Sequence, residues 1–152
     1  MTSIAAPAST TSAAATAPAA APAAAVVVPA AGRRAGLAIS ALTGAFLVVD
    51  AVLHVLNVQV VRDAMSTLGF RPGVAVGIGL LEIVCVVLYL VPRTSVLGAV
   101  LLTGYLGGAV CAQLRIDAPL FSTMLFPVYV GTAVWVGLWL RDGRVKRLLG
   151  PA

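Results

Sequence analysis

The chain has 152 residues, of which 61% are apolar and only 10% charged, with a formal net charge of +5 and a mean hydropathy of +1.06. A water-soluble domain of this length needs more charge to cover its surface, so composition argues against one. The basic excess does not point to nucleic acid either. The Lys and Arg residues sit in short connections and near the C-terminus, where membrane topology accounts for them.

Residues 1–32 carry no charge and consist mostly of Ala, Pro, Ser and Thr. Pro7, Pro18, Pro22 and Pro29 interrupt the alanines too often for a stable helix, so a disordered tail is expected. It lacks the basic start and the apolar core of a signal peptide. Residues 33–149 form the expected membrane domain, and residues 150–152 a short C-terminal end.

Four apolar stretches of about twenty residues follow, each long enough to cross the roughly 30 Å hydrocarbon core of a bilayer. The expected fold is all-α, an integral membrane four-helix bundle. The first span covers about residues 35–56. Its polar residues Ser40, Thr43, Asp50 and His54 recur at helical spacing and share one face. That face should turn inward. An acid near mid-span costs about 2.5–3.5 kcal/mol to insert, and each Leu, Ile, Phe or Val returns about 0.3–0.6 kcal/mol.

Residues 57–72 predict a short amphipathic helix, with Val60, Val61, Met65 and Leu68 on one face and Gly69 at the left-handed cap position. The second span, about 73–91, has one acid, Glu82, near its middle, and Pro92 and Arg93 make the turn after it. The third, about 95–114, contains Gly104 and Gly108 in a G-x-x-x-G pair that Ala112 extends. Such faces favour close helix packing, within a chain or between copies in a homo-oligomer. The fourth, about 121–140, should kink at Pro127 and carries Trp135 and Trp139 near its inner end.

Four spans put both termini on one side. That side holds Arg33, Arg34, Arg93, Arg141, Arg144, Lys146 and Arg147, and the other holds Arg62, Arg71 and Arg115. The bias predicts cytoplasmic termini in a cell membrane. Cys85 and Cys111 differ in expected depth by about 15 Å, too far for a disulfide, and are read as buried thiols.

Counting inward from the outer ends places Asp50, Glu82, Tyr105 and Tyr129 in one layer, with His54 and Gln113 nearer the surface. These six are the candidate lining of a polar pocket that opens outward beneath the amphipathic segment. A small polar headgroup such as a quinone ring would suit it. Two structural readings stand beside this one. Asp50 and His54, at i and i+4, can pair with each other, and Glu82 can hydrogen-bond to Tyr105 simply to fix helix packing. One histidine rules out bis-His haem ligation within the chain, and no zinc-binding spacing is present.

From residue 73 onward the sequence resembles the DoxX-like family of small bacterial membrane proteins. The resemblance rests on LLEIVCVVLYLVPRTSVLGAVLLTGYLGGAV (80–110), LR (114–115), PLF (119–121) and LFPVYVGTAVWVGLWLRDGRV (125–145). The family's early acid corresponds to Asp50, and its L-G-F/Y-x-P segment to Leu68, Gly69, Phe70 and Pro72. The resemblance implies a four-helix membrane bundle. It also implies a non-catalytic accessory subunit that binds a quinone or lipid and serves a redox protein partner, since some relatives belong to a thiosulfate:quinone oxidoreductase and others to complexes that manage thiols and oxidative stress. A proton-coupled transporter and an enzyme acting on a hydrophobic small molecule remain open alternatives. Relatives often carry histidines where this chain has Gln113 and Thr123, so chemistry resting on those imidazoles is not expected here.

Overall fold

The computed structural model describes residues 29–149, and no strand occurs among them. Six helices follow in order: α1 (Ala30–Val55), α2 (Gln59–Thr67), α3 (Val74–Leu90), α4 (Ser95–Leu114), α5 (Phe126–Arg141) and α6 (Gly143–Leu149), with a π-helical turn at Leu120–Met124 before α5. Among the described residues, three helical stretches are long and apolar enough to cross a membrane: α1, α4, and the 22 residues of Leu120–Arg141. Helix α3 is a shorter apolar helix of 17 residues. Outward-facing Leu42 (76% exposed), Val49, Leu80, Val87 and Phe121 give the long helices an apolar exterior that suits lipid. The tail lies outside the described residues, except that α1 already begins at Ala30. Pro29 sits at the cap, where its missing N–H breaks no helical bond, and the alanines after it propagate the helix.

Short caps set the path of the chain. After α1, Asn57 adopts a left-handed conformation (φ 49°), and the Asn57 and Val58 amides close back on the His54 and Leu53 carbonyls. Gly69 (φ 75°) does the same after α2, with the Gly69 and Phe70 amides on Ser66 and Met65. The amphipathic helix expected between the first two apolar stretches is therefore present as α2. Its Val61 and Met65 are buried with Ala75 at the start of α3.

Helix α1 packs against α3 and α5, and α4 packs against the same two helices. The main core fills the space between them with Leu47, Cys85, Val86, Tyr89, Ala99, Leu102, Val134 and Leu138. Ser40 and Thr43 are buried, so the polar face of α1 turns inward as its spacing predicts. The Tyr89 hydroxyl ties three helices together, within 2.8 Å of Ser40 Oγ and 3.0 Å of the Val134 carbonyl. At the same end, Arg141 donates to the Tyr89 carbonyl (2.7 Å) and Arg144 to the Pro92 carbonyl (2.5 Å). The start of α1, the α3–α4 turn and the end of α5 thus meet at one end of the molecule.

Several details depart from the sequence pattern. Pro127 lies in the first turn of α5 and does not kink a continuous helix. The preceding π turn, whose Met124 and Leu125 amides reach back five residues to Pro119 and Leu120, absorbs the irregularity. Helix α6 goes beyond the expected elements, and its Val145 plugs the core. Cys85 is buried and Cys111 is exposed, which corrects the expectation of two buried thiols. Gly104 and Gly108 are open, with no atom within 4 Å of where a Cβ would stand. The close helix approaches occur elsewhere, where Gly79 of α3 meets α1 and where Gly36 of α1 and Gly137 of α5 meet each other's helix.

Candidate functional site

At the end of the bundle nearest α2, a cavity of about 870 Å³ opens between α1, α3 and α4. Its construction begins at Gly79. A Cβ there would stand 2.7 Å from the Ala51 carbonyl and 2.8 Å from His54 Cβ, so only glycine lets α3 come this close to α1. Three residues later, one turn along the same face, Glu82 is carried to Asp50 and His54. One carboxylate oxygen from each acid and one ring nitrogen of His54 all lie within 4.8 Å of one another.

Glu82 is fully buried. Tyr105 of α4 donates a hydrogen bond to its Oε2 (2.9 Å), while its Oε1 is buried without a partner. His54 Nδ1 donates to the Asp50 backbone carbonyl (2.9 Å) and lies 3.4 Å from an Asp50 carboxylate oxygen. Both pairings the sequence allows, Asp50 with His54 and Glu82 with Tyr105, are therefore made, and they are made side by side in one cavity. Gln113 lines the same space near its mouth.

The remaining walls are apolar. Phe46, Leu47 and Leu53 come from α1, Ile78, Leu81 and Cys85 from α3, and Val100, Leu101 and Leu106 from α4. Val60, Val61 and Met65 of α2, with Leu68 and Phe70 just after it, form its cover. Phe46 and Phe126 meet edge to face, with ring centroids 5.7 Å apart, at a side of the cavity. No Lys or Arg lines it. An apolar chamber with a few polar groups gathered at one wall is the form of a small-molecule site.

Five of the six residues proposed from the sequence come together here. Tyr129 does not: it is 51% exposed on α5 and contributes nothing to the lining. Gly104, Gly108 and Ala112, expected as a packing face, instead form part of the cavity wall. The sequence reading left out Cys85 and the α2 cover residues as lining. It also found no metal-ligand spacing, because Glu82 reaches Asp50 and His54 from another helix and sequence spacing records only one helix at a time. A second, smaller groove of about 440 Å³ runs between α4 and α5 along Thr103, Gly107, Val110, Gly131 and Trp135, and its lining holds no acid or histidine.

Neither a curated protein nor a solved structure matches the chain. A family model does, over residues 38–137, which take in α1 from its third turn, the α2 cover, and all the polar residues of the cavity. The chain belongs to the DoxX-like family.

Proposed function

We propose that the protein crosses the cell membrane four times, through α1, α3, α4 and α5, with both termini in the cytoplasm. In this reading its cavity takes the polar head of a lipophilic molecule, a quinone ring or a lipid headgroup, as an accessory subunit of a membrane redox system. One observation carries the proposal: a largely apolar chamber whose polar groups, Glu82, Tyr105, Asp50, His54 and Gln113, gather where a ring or headgroup would be held. The apolar walls match the rest of such a molecule, and α2 excludes water from above. The grouping of seven basic residues toward the end where α1 starts and α5 finishes supports the orientation.

The test is to purify the protein from native membranes in mild detergent and identify extracted lipophiles by mass spectrometry. About one quinone or lipid per chain is expected, and its identity separates the two ligand sources. Tyr105→Phe with Gln113→Leu should reduce the bound amount severalfold. Extracts indistinguishable from a detergent blank, together with no binding of added quinone, would refute the reading.

The carboxyl pair also favours a second reading, a proton-coupled carrier. Proton-dependent uptake into proteoliposomes that Glu82→Gln abolishes would establish it over the first.

A further inference from the structure

We propose that Asp50, His54 and Glu82 hold one divalent first-row transition metal ion, with Glu82 Oε1 as its anchoring ligand. The inference does not depend on the quinone reading, since an ion can bind whether or not the chamber is filled.

Three observations meet at this point. The three side chains offer two oxygens and a nitrogen within 4.8 Å of one another. Glu82 is 0% exposed, and its Oε1 is buried with no hydrogen-bond partner, although Tyr105 satisfies the other oxygen. A buried carboxylate oxygen without a partner is costly, and groups of this kind are normally satisfied by a donor, a water or an ion. Finally, two carboxyls stand together in a chamber that no Lys or Arg lines. Their charge must be offset by protons or by a cation.

The orientation of His54 fits a ligand role. Its Nδ1–H is directed to the Asp50 carbonyl, the kind of contact that fixes the tautomer of a ligating imidazole and puts the free lone pair on Nε2. Asp50 and His54 are i and i+4 on one helix, so α1 supplies two ligands from a single face. Ligands at about 2.0–2.2 Å from an ion stand about 3–3.5 Å apart, so binding would draw the trio inward by up to about 1.5 Å. Asp50, whose side chain is 42% exposed, has the freedom to make that adjustment. Imidazole with two carboxylates suits Mn2+, Fe2+ or Zn2+, and the nitrogen disfavours Ca2+ and Mg2+. Three protein ligands leave coordination positions open to water or to a molecule in the chamber.

Mn2+ is the probe. The protein is purified without a histidine tag, stripped with chelator and titrated while free Mn2+ is counted by electron paramagnetic resonance. One Mn2+ per chain is expected, displaced by Zn2+ but not by equal Mg2+ or Ca2+. His54→Gln and Glu82→Gln should each weaken binding at least tenfold, while Asp63→Asn, on the exposed face of α2, should leave it unchanged. Should Glu82→Gln fail to fold, Asp50→Asn at the half-exposed ligand carries the same expectation. Substoichiometric binding, binding that the ligand variants do not weaken, or equal displacement by Ca2+ would each overturn the proposal and leave a proton shared between the carboxyls as the source of neutrality.

Discussion

Replacing Gly79 by alanine tests whether the close approach of α3 to α1 assembles the site. The new Cβ would stand 2.7 Å from the Ala51 carbonyl oxygen, 2.8 Å from His54 Cβ and 3.0 Å from Val55 Cγ2. The first of these is backbone, which cannot rotate aside. Reaching the 3.4 Å at which ordinary contact begins requires the helices to part by about 0.7 Å. Overpacking of this kind costs about 1–3 kcal/mol. Alanine also gains up to about 1 kcal/mol over glycine from helix propensity, which would blur a single measurement. Gly77 on the same helix removes that ambiguity, because nothing lies within 4 Å of its Cβ position. Unfolding of both variants by SDS in mixed micelles, followed by tryptophan fluorescence, should find Gly79→Ala less stable than Gly77→Ala by about 1–3 kcal/mol. The separation of Glu82 from His54 should also weaken ligand or ion binding in Gly79→Ala alone. Equal stability of the two variants, or a more stable Gly79→Ala, would refute the assembly argument.

Gly108→Leu should fold normally, since its surroundings are open, yet fill part of the chamber and weaken ligand binding; a loss of stability comparable to that of Gly79→Ala would instead make Gly108 a packing residue. Tyr89→Phe removes the hydroxyl shared with Ser40 and the Val134 carbonyl, and should destabilise the protein by about 1–2 kcal/mol in the same SDS titration. Asp142, just beyond α5, accepts hydrogen bonds from the Arg144 side chain and backbone, which hold its carboxyl below the ordinary carboxylate range. A lowered folded-state pKa stabilises the protein above the unfolded carboxyl's pKa, and that contribution disappears as pH falls through the folded value. Wild type should therefore be more stable than Asp142→Asn at neutral pH, with the gap closing as pH falls below the carboxylate range; a gap that persists in acid would contradict this.

What the sequence discloses depends on how many helices a feature needs. The inward face of α1 is legible because polar residues in an apolar helix have to share a side, and Ser40 and Thr43 are indeed buried. The Gly69 cap is equally local. Tyr129 is misplaced because its depth and facing were counted along a helix running straight from residue 121. The π turn carries an extra residue per turn and resets the rotation before α5 begins, so Tyr129 turns outward. The G-x-x-x-G pair shows that backbone is accessible on α4, but not what approaches it. Here the answer is an open chamber, while Gly36, Gly79, Gly98 and Gly137 carry the close contacts. The meeting of Asp50 and His54 with Glu82 is tertiary, and only their counted depths and the rule that acids in a membrane seek company pointed toward it.

The shortness of α3 explains why the polar cluster can lie where it does. Seventeen residues rise about 25 Å, a few ångströms less than a typical hydrocarbon core. Pro72 and Gly73 stop the helix at one end and Pro92 at the other, so if it spans as proposed it cannot lengthen to match a thicker bilayer. Glu82 lies at its midpoint, about 12 Å from either end, which under the proposed four-span arrangement is where insertion of a carboxyl is most costly. The molecule answers locally: the Tyr105 hydroxyl holds one oxygen, Asp50 and His54 supply polar neighbours, and α2 residues line the chamber beside them. Were Glu82 only a packing residue, glutamine would serve it better, because an amide satisfies Tyr105 without a buried charge. Glu82→Gln should then stabilise the protein. A binding function predicts that the same variant, as stable as wild type or more so, no longer holds its ligand, so ligand binding measured on the folded variant separates the two roles.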